Sequence, residues 1–147
     1  MAIHTLLHDG KGRGHDARIT HAGELVVVRG NYDTTTTASM TSTATAYNLA
    51  LPKNAYRFII TGIILNADKN VSATDGAIVQ VYEASSVTET TQLKNLFTLN
   101  IGKNTTVPIT GILVQTTSGR YVNAETDDAT VNITLLGYYL ENDESES

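Results

Sequence analysis

The chain has no cysteine and no tryptophan, only two prolines, and no long apolar run. Without cysteine there is neither a disulfide framework nor a thiolate metal site, which fits assembly in a reducing compartment. Without tryptophan the usual sugar-stacking platform is missing. No stretch approaches the roughly eighteen apolar residues of a membrane-spanning helix. The opening residues, MAIHTLLHDGKGRGHD, turn polar after Leu7 and do not read as a signal peptide, so the expectation is a soluble protein made in the cytosol. Strong helix formers are sparse, whereas threonine and valine are abundant. This balance points to an all-β class, because branched side chains lose little rotamer freedom on a pleated surface.

What is present fits one domain with a core and an added arm. The 147 residues are 41% hydrophobic, within the globular range. The net charge of −5 is unevenly spread. Residues 1–30 hold Lys11, Arg13, Arg18 and Arg29 against Asp9, Asp16 and Glu24, together with all four histidines, His4, His8, His15 and His21. The remainder is acidic and ends in an acidic tail, residues 141–147. So slight a positive balance in the arm releases few counterions and does not predict nucleic-acid binding.

The densest apolar stretch is Ala55 to Ala67, AYRFIITGIILNA. Tyr56, Phe58, Ile60 and Ile64 fall on one side of an extended chain, and Ile59, Ile63 and Leu65 on the other. A strand apolar on both faces is central in its sheet or covered by another layer. Around it, period-two alternation or short apolar runs predict strands at Glu24–Arg29, Thr45–Leu51, Ala77–Ala84, Leu96–Ile101, Gly111–Thr116, Arg120–Val122 and Ala129–Leu140. A short edge strand is predicted through Thr106 and Val107, limited by Pro108, and a helical turn over Gln92–Asn95. Turn pairs such as Asp75-Gly76 and Ser118-Gly119 separate them. About eight strands so spaced describe an antiparallel β-sandwich, with a jelly roll suiting the count and an immunoglobulin-like or fibronectin-like sandwich as the alternative. The expected organisation is an arm with a short strand (1–30), a Thr-rich linker or exposed extended segment (31–45), a β-sandwich (46–140) and an acidic tail (141–147).

Few constellations carry chemistry. His4 and His8 have a metal-ligand spacing on a helix, but no helix start precedes them and glycines flank them. Gly10, Gly12 and Gly14 evoke a phosphate loop without the strand and helix that such a loop needs. Asp127 and Asp128 with Glu125, and Asp68 with Asp75, offer calcium-type oxygen ligands but no twelve-residue calcium loop, and read as solvated loop tips. There is no G-x-S-x-G elbow, and every histidine lies in the arm. The expectation is therefore no catalytic residue, no cofactor and no metal. Asn70, Asn104 and Asn132 head glycosylation-type triplets that chance explains in a threonine-rich chain. Tyr121, Tyr138 and Tyr139, with Tyr56, are candidates for an oligomer interface or for the edge of the core.

Two stretches resemble a known group. Asp9-Gly-Lys-Gly-Arg-Gly followed by Ala17-Arg-Ile-Thr-His-Ala-Gly-Glu-Leu-Val-Val resembles the N-terminal segment of tailed-bacteriophage structural proteins, a D-G-x-G motif ahead of a V/I-T-x-x-G-x-L-x-V strand. The region from Arg57 to Leu140 is similar to phage jelly-roll domains. The resemblance implies a non-enzymatic virion component on the head surface, made in the host cytoplasm: a capsid decoration (cement) protein. It implies the major capsid protein as partner, a homotrimer, and no nucleic-acid or membrane partner. On that reading Lys11, Arg13, Arg18, Leu25, Val27 and Arg29 would meet the capsid. The alternatives are a tail adaptor or receptor-binding β-sandwich, using loops around Asp68–Gly76 or Gly119–Asp128, and a carbohydrate-binding module.

Overall fold

Strand-forming residues at regular intervals, each run stopped by a turn, leave the chain little choice but to fold back on itself repeatedly. The computed structural model describes residues 33–128 and 130–142, together with the strand pairs Arg18–Ile19 and Leu25–Val26. The chain divides into two compact units, residues 1–31 and 32–147. In the first, β1 (Arg18–Ile19) pairs antiparallel with β2 (Leu25–Val26), Ile19 opposite Leu25. The short strand expected at Glu24–Arg29 thus has a partner the sequence did not reveal.

The second unit holds β3 (Asp33–Met40), β4 (Tyr47–Ala50), β5 (Tyr56–Ala67), β6 (Ala77–Ala84), β7 (Lys94–Ile101), β8 (Thr106–Gln115), β9 (Tyr121–Thr126) and β10 (Val131–Glu141). The first of these pairs with the last, the second with the second from last, the third with the third from last, and β6 with β7 as the innermost hairpin. Lateral pairing of β10 with β5 and of β9 with β6 gathers the nested pairs into two four-stranded antiparallel sheets, β3-β10-β5-β8 and β4-β9-β6-β7. A nested hairpin rolled in this way is a jelly roll. The expected all-β sandwich is therefore the observed fold, in its jelly-roll form.

Between the sheets lies one apolar core. Met40 from β3, Phe58, Ile60, Ile63, Leu65 and Ala67 from β5, and Val131, Ile133 and Leu135 from β10 meet Ala77, Val79, Val81, Val122 and Ala124 of the other sheet. Eleven of these are wholly covered, and each large aliphatic contributes about 1.5–3 kcal/mol on burial. The alternation expected in β10 holds: Val131, Ile133 and Leu135 point inward.

The central strand differs from its expected phase. Leu136 of β10 stands opposite Gly62 while Gly137 stands opposite Ile60, so Thr61 is an extra residue, a β-bulge. The bulge shifts the alternation by one. Phe58 and Ile60 before it and Ile63, Leu65 and Ala67 after it therefore share the core, while Ile59 and Ile64 face away. On the other side of β5 the same interruption is met by Gly111, Ile112 and Leu113, which lie between the paired Thr110 and Val114. Gly111 has φ of +72° there, a conformation that favours glycine. The two short strands expected at 106–107 and 111–116 are thus one bulged edge strand, β8, with Pro108 on it. No helical turn forms over 92–95, because Lys94 already begins β7.

The threonine run corrects the expected linker. Residues 33–40 are β3, in register with β10 from Met40 opposite Val131 to Asp33 opposite Tyr138. Threonine is a good strand residue at an edge, where its methyl packs and its hydroxyl reaches solvent. Met40 and half-buried Thr34, Thr36 and Ala38 face inward, Thr35, Thr37 and Ser39 are exposed, and the Thr37 and Thr134 hydroxyls are 3.0 Å apart. At the end of β3 the Tyr47 hydroxyl oxygen accepts the Thr41 and Ser42 N–H groups, each at 3.0 Å, and closes the connection to β4.

Gly137 sits where β10 crosses the bulge. A Cβ there would stand 2.3 Å from the Ile59 carbonyl oxygen and 2.6 Å from the Phe58 ring. Gly137→Ala is expected to lower stability by about 1–3 kcal/mol, read as a fall in the urea midpoint with unchanged slope. Gly102→Ala, whose nearest contact is an ordinary 3.4 Å, is expected to stay near the parent midpoint.

Candidate functional site

The two outer faces of the sandwich differ. Over the β4-β9-β6-β7 sheet the connection after β6 folds back and seals the surface. The Tyr82 hydroxyl donates to the Glu89 carbonyl (3.1 Å), and the Asn123 amide donates to the carbonyls of Ser86 (2.9 Å) and Glu89 (3.1 Å). The Gln92 amide donates to Gln80 (2.8 Å) and Glu125 (3.0 Å). Beneath this strap Tyr82 and Asn123 are wholly buried. Burial, reinforced by the negative charges of Glu125 and Glu89, pushes the Tyr82 hydroxyl up to about 12.

The outer face of the β3-β10-β5-β8 sheet is built differently. Register places Tyr138 beside Ile59, Leu136 beside Gly62, and Thr134 beside Ile64. Ile59 is only 5% exposed although it points away from the inter-sheet core, and Ile64, Leu136 and Tyr138 are half-buried. This apolar row is bordered on one side by Thr35, Thr37 and Ser39 and on the other by Thr106, Pro108 and Thr110. Nearby Leu140 is 45% exposed, and Leu113, in the bulge of β8, is 66% exposed. An apolar centre with a polar rim is the anatomy of a protein-binding face. The row went unseen in the sequence because the Thr61 bulge sets which isoleucines face outward; Leu136, breaking the polar half of the β10 alternation, was the available sign.

The candidate tyrosines do not share a surface. Tyr138 lies on this outer face, whereas Tyr121 pairs with Ala84 on the opposite sheet. Tyr139 turns inward: its ring meets Phe58 edge-on at 5.0 Å and its hydroxyl donates to the Leu51 carbonyl at 2.7 Å. Burial raises its pKa above the ordinary tyrosine value. Tyr56 lies under the Lys53 ammonium, 4.2 Å from the ring centre.

Of the candidate capsid contacts, Arg18 and Leu25 belong to the β1–β2 pair; Lys11, Arg13, Val27 and Arg29 lie outside the described residues, as do the four histidines. Three of the candidate loop carboxylates accept backbone N–H groups. Asp127 accepts the Ile78 N–H and Asp128 the Ser72 N–H, each at 2.7 Å, and Asp68 accepts the Lys69 N–H. Among the described residues no three His, Asp or Glu side chains converge as a metal site would require. The acidic loops 68–76 and 125–128 are thus tied to each other and to β6.

Tyr82 supplies a test of the strap. A hydroxyl with a raised folded-state pKa keeps its proton in the native protein after the unfolded chain has lost it. Stability is therefore expected to fall as pH rises from about 10 to about 12. Tyr82→Phe should shrink that alkaline loss in urea titrations, at a cost near neutrality of about 1 kcal/mol for the lost hydrogen bond.

No family model matches the chain, and no curated protein does. Among solved structures the chain is similar to one from the cyanophage Pam1 capsid asymmetric unit, with 20% identity, a TM-score of 0.42, and coverage of 77% of this chain and 90% of that one.

Proposed function

We propose that the chain is a non-enzymatic structural component of a tailed-bacteriophage virion: a capsid decoration (cement) protein. Its N-terminal unit holds the major capsid protein at the head surface. The fold alone does not select this role, since jelly rolls serve as capsid domains and as lectins. The observation that carries the reading is the pairing of a separate N-terminal unit, bearing the D-G-x-G and I-T-x-x-G-x-L-x-V motifs, with a complete jelly roll in residues 32–147. A contact made by one copy is repeated at every copy of a symmetric lattice, so even a modest contact per chain adds up. The apolar row of Ile59, Ile64, Leu136 and Tyr138 is the surface offered for contacts between copies in a homotrimer. Acidic loops bound to backbone, and histidines confined to the arm, favour a structural role over a catalytic one.

Removal of residues 2–23 tests the division of labour. All core residues lie at or beyond Met40, so the truncated chain is expected to keep its β-sheet spectrum and melting transition. It should no longer co-sediment with heads, whereas the full chain does. Normal attachment by the truncated chain would overturn the anchoring role. Antibody–gold label over the head supports decoration, label confined to the tail supports an adaptor or receptor-binding protein, and unlabelled particles remove the virion reading.

A further inference from the structure

Each outermost strand of a sheet presents a row of backbone N–H and C=O groups that no neighbouring strand has taken up. The two sheets of the sandwich have four such edges, β3 and β8 on one and β4 and β7 on the other. Three of them carry a feature that discourages another strand from pairing there. β4 has only four residues and is interrupted between Asn48 and Ala50. β7 starts with Lys94 and carries Leu96 as an extra residue between the paired Asn95 and Phe97. β8 contains Pro108, which has no N–H to donate, and the bulge at Gly111–Leu113. β3 has none of these.

This strand runs eight residues, Asp33–Met40, in unbroken register with β10, and holds no proline, glycine, lysine or bulge. Its one ionisable residue, Asp33, is at its first position. β10 takes one side of it, and among the described residues no strand takes the other. In an antiparallel ladder alternate residues turn both backbone groups away from their partner, so half of the N–H and C=O groups of β3 point outward. Pairing with β10 already fixes the backbone in the extended form, so a further strand can be added without reshaping it. The contact between the Thr37 and Thr134 hydroxyls joins side chains within the sheet and leaves these backbone groups free.

A foreign peptide added to a sheet edge is selected by pockets that receive its alternate side chains. The exposed side chains along this edge are Thr35, Thr37 and Ser39, short hydroxyls that shape no such pocket but match one another. We propose that β3 pairs antiparallel with β3 of a second copy of this chain, across a two-fold axis at Thr37. An axis perpendicular to the sheet keeps the same face outward in both copies, so only residues of like parity meet. Thr37 then stands opposite its own counterpart and Thr35 opposite Ser39 on the outer face, with Thr36 opposite Ala38 on the inner one. Hydroxyl residues of this kind are favourable cross-strand neighbours. The last pair is Thr34 opposite Met40, which leaves Asp33 of each copy beyond the paired stretch and keeps the two like charges apart. The contact is made by the edge and not by the apolar row offered to a homotrimer, and it does not depend on the capsid reading. A two-fold pair multiplies the assembly by two and a trimer multiplies it by three, so one measured mass separates the two.

The test is the mass of the full chain by analytical ultracentrifugation, alone and with substitutions at either edge of the same sheet. The parent chain is expected as a dimer, or as a hexamer where the apolar row also associates. Thr37→Lys sets two ammonium groups directly opposite each other and should weaken the two-fold contact by about tenfold, with partial recovery in high salt. Thr110→Lys, at an exposed position on the β8 edge, should leave the factor of two intact. A second readout needs no charged substitution. The chain has no cysteine, so Thr37→Cys introduces a single thiol, and mild oxidation should link most chains in pairs, whereas Thr110→Cys should not. The proposal is overturned by a parent chain that is only monomer or trimer, by an unchanged mass in Thr37→Lys, or by equal cross-linking of the two cysteine variants.

Discussion

The structure depends on how β5 and β10 pair. These two strands are the inner pair of one sheet, and their register passes from Val131 opposite Ala67 to Glu141 opposite Tyr56 with one interruption. At that interruption Thr61 is extra, and Gly137 allows the Ile59 carbonyl and the Phe58 ring to approach where any side chain would collide. A bulge costs a ladder position, yet here it lets one long strand serve the core along its whole length. Without it, Ile63, Leu65 and Ala67 would turn to solvent and Gly62, Ile64 and Asn66 would turn inward, since a one-residue slip reverses every side chain beyond it. The same bulge propagates to β8, where three residues rather than one absorb the mismatch and leave Leu113 standing out.

Fold class was legible because it rests on signals that are local and repeated. Branched residues, period-two alternation in β10 and turn pairs between runs each point to the same architecture, and the jelly-roll count follows from them. What was not legible is what depends on pairing. Thr34 to Met40 carries almost no apolar alternation, and only its partnership with β10 makes it a strand. Arg18–Ile19 is likewise a strand by virtue of Leu25–Val26. The phase of β5 could not be read from its composition either, since apolar residues at both parities fit a straight strand as well as a bulged one.

Surfaces were less legible than the fold, for a related reason. The three tyrosines proposed together in the sequence are scattered by register: one to each outer face and one, Tyr139, into contact with Phe58 and the Leu51 carbonyl. Of the acidic residues that looked like ligands, Asp127 accepts the N–H of Ile78 on β6 and Asp128 that of Ser72 in the facing loop, where a carboxylate makes a stronger hydrogen bond than a neutral acceptor. The polar depression where β5 begins and β8 ends draws its wall from positions as distant as Arg57 and Asn142, which no sequence window contains.

These placements bear on what kind of protein this is. One outer face is closed by its own strap, and the other keeps an apolar row between hydroxyl borders. Had the strap been required only to protect a sheet, the second face would need one too. Among the described residues no segment covers that face, so the apolar row between its hydroxyl borders stays open while Tyr82 and Asn123 are sealed. The N-terminal unit carries the motifs, and the open face carries the apolar area. A jelly roll permits this separation because its strands alternate between two sheets, so neighbouring segments of chain reach opposite faces and a single short domain can present several independent surfaces.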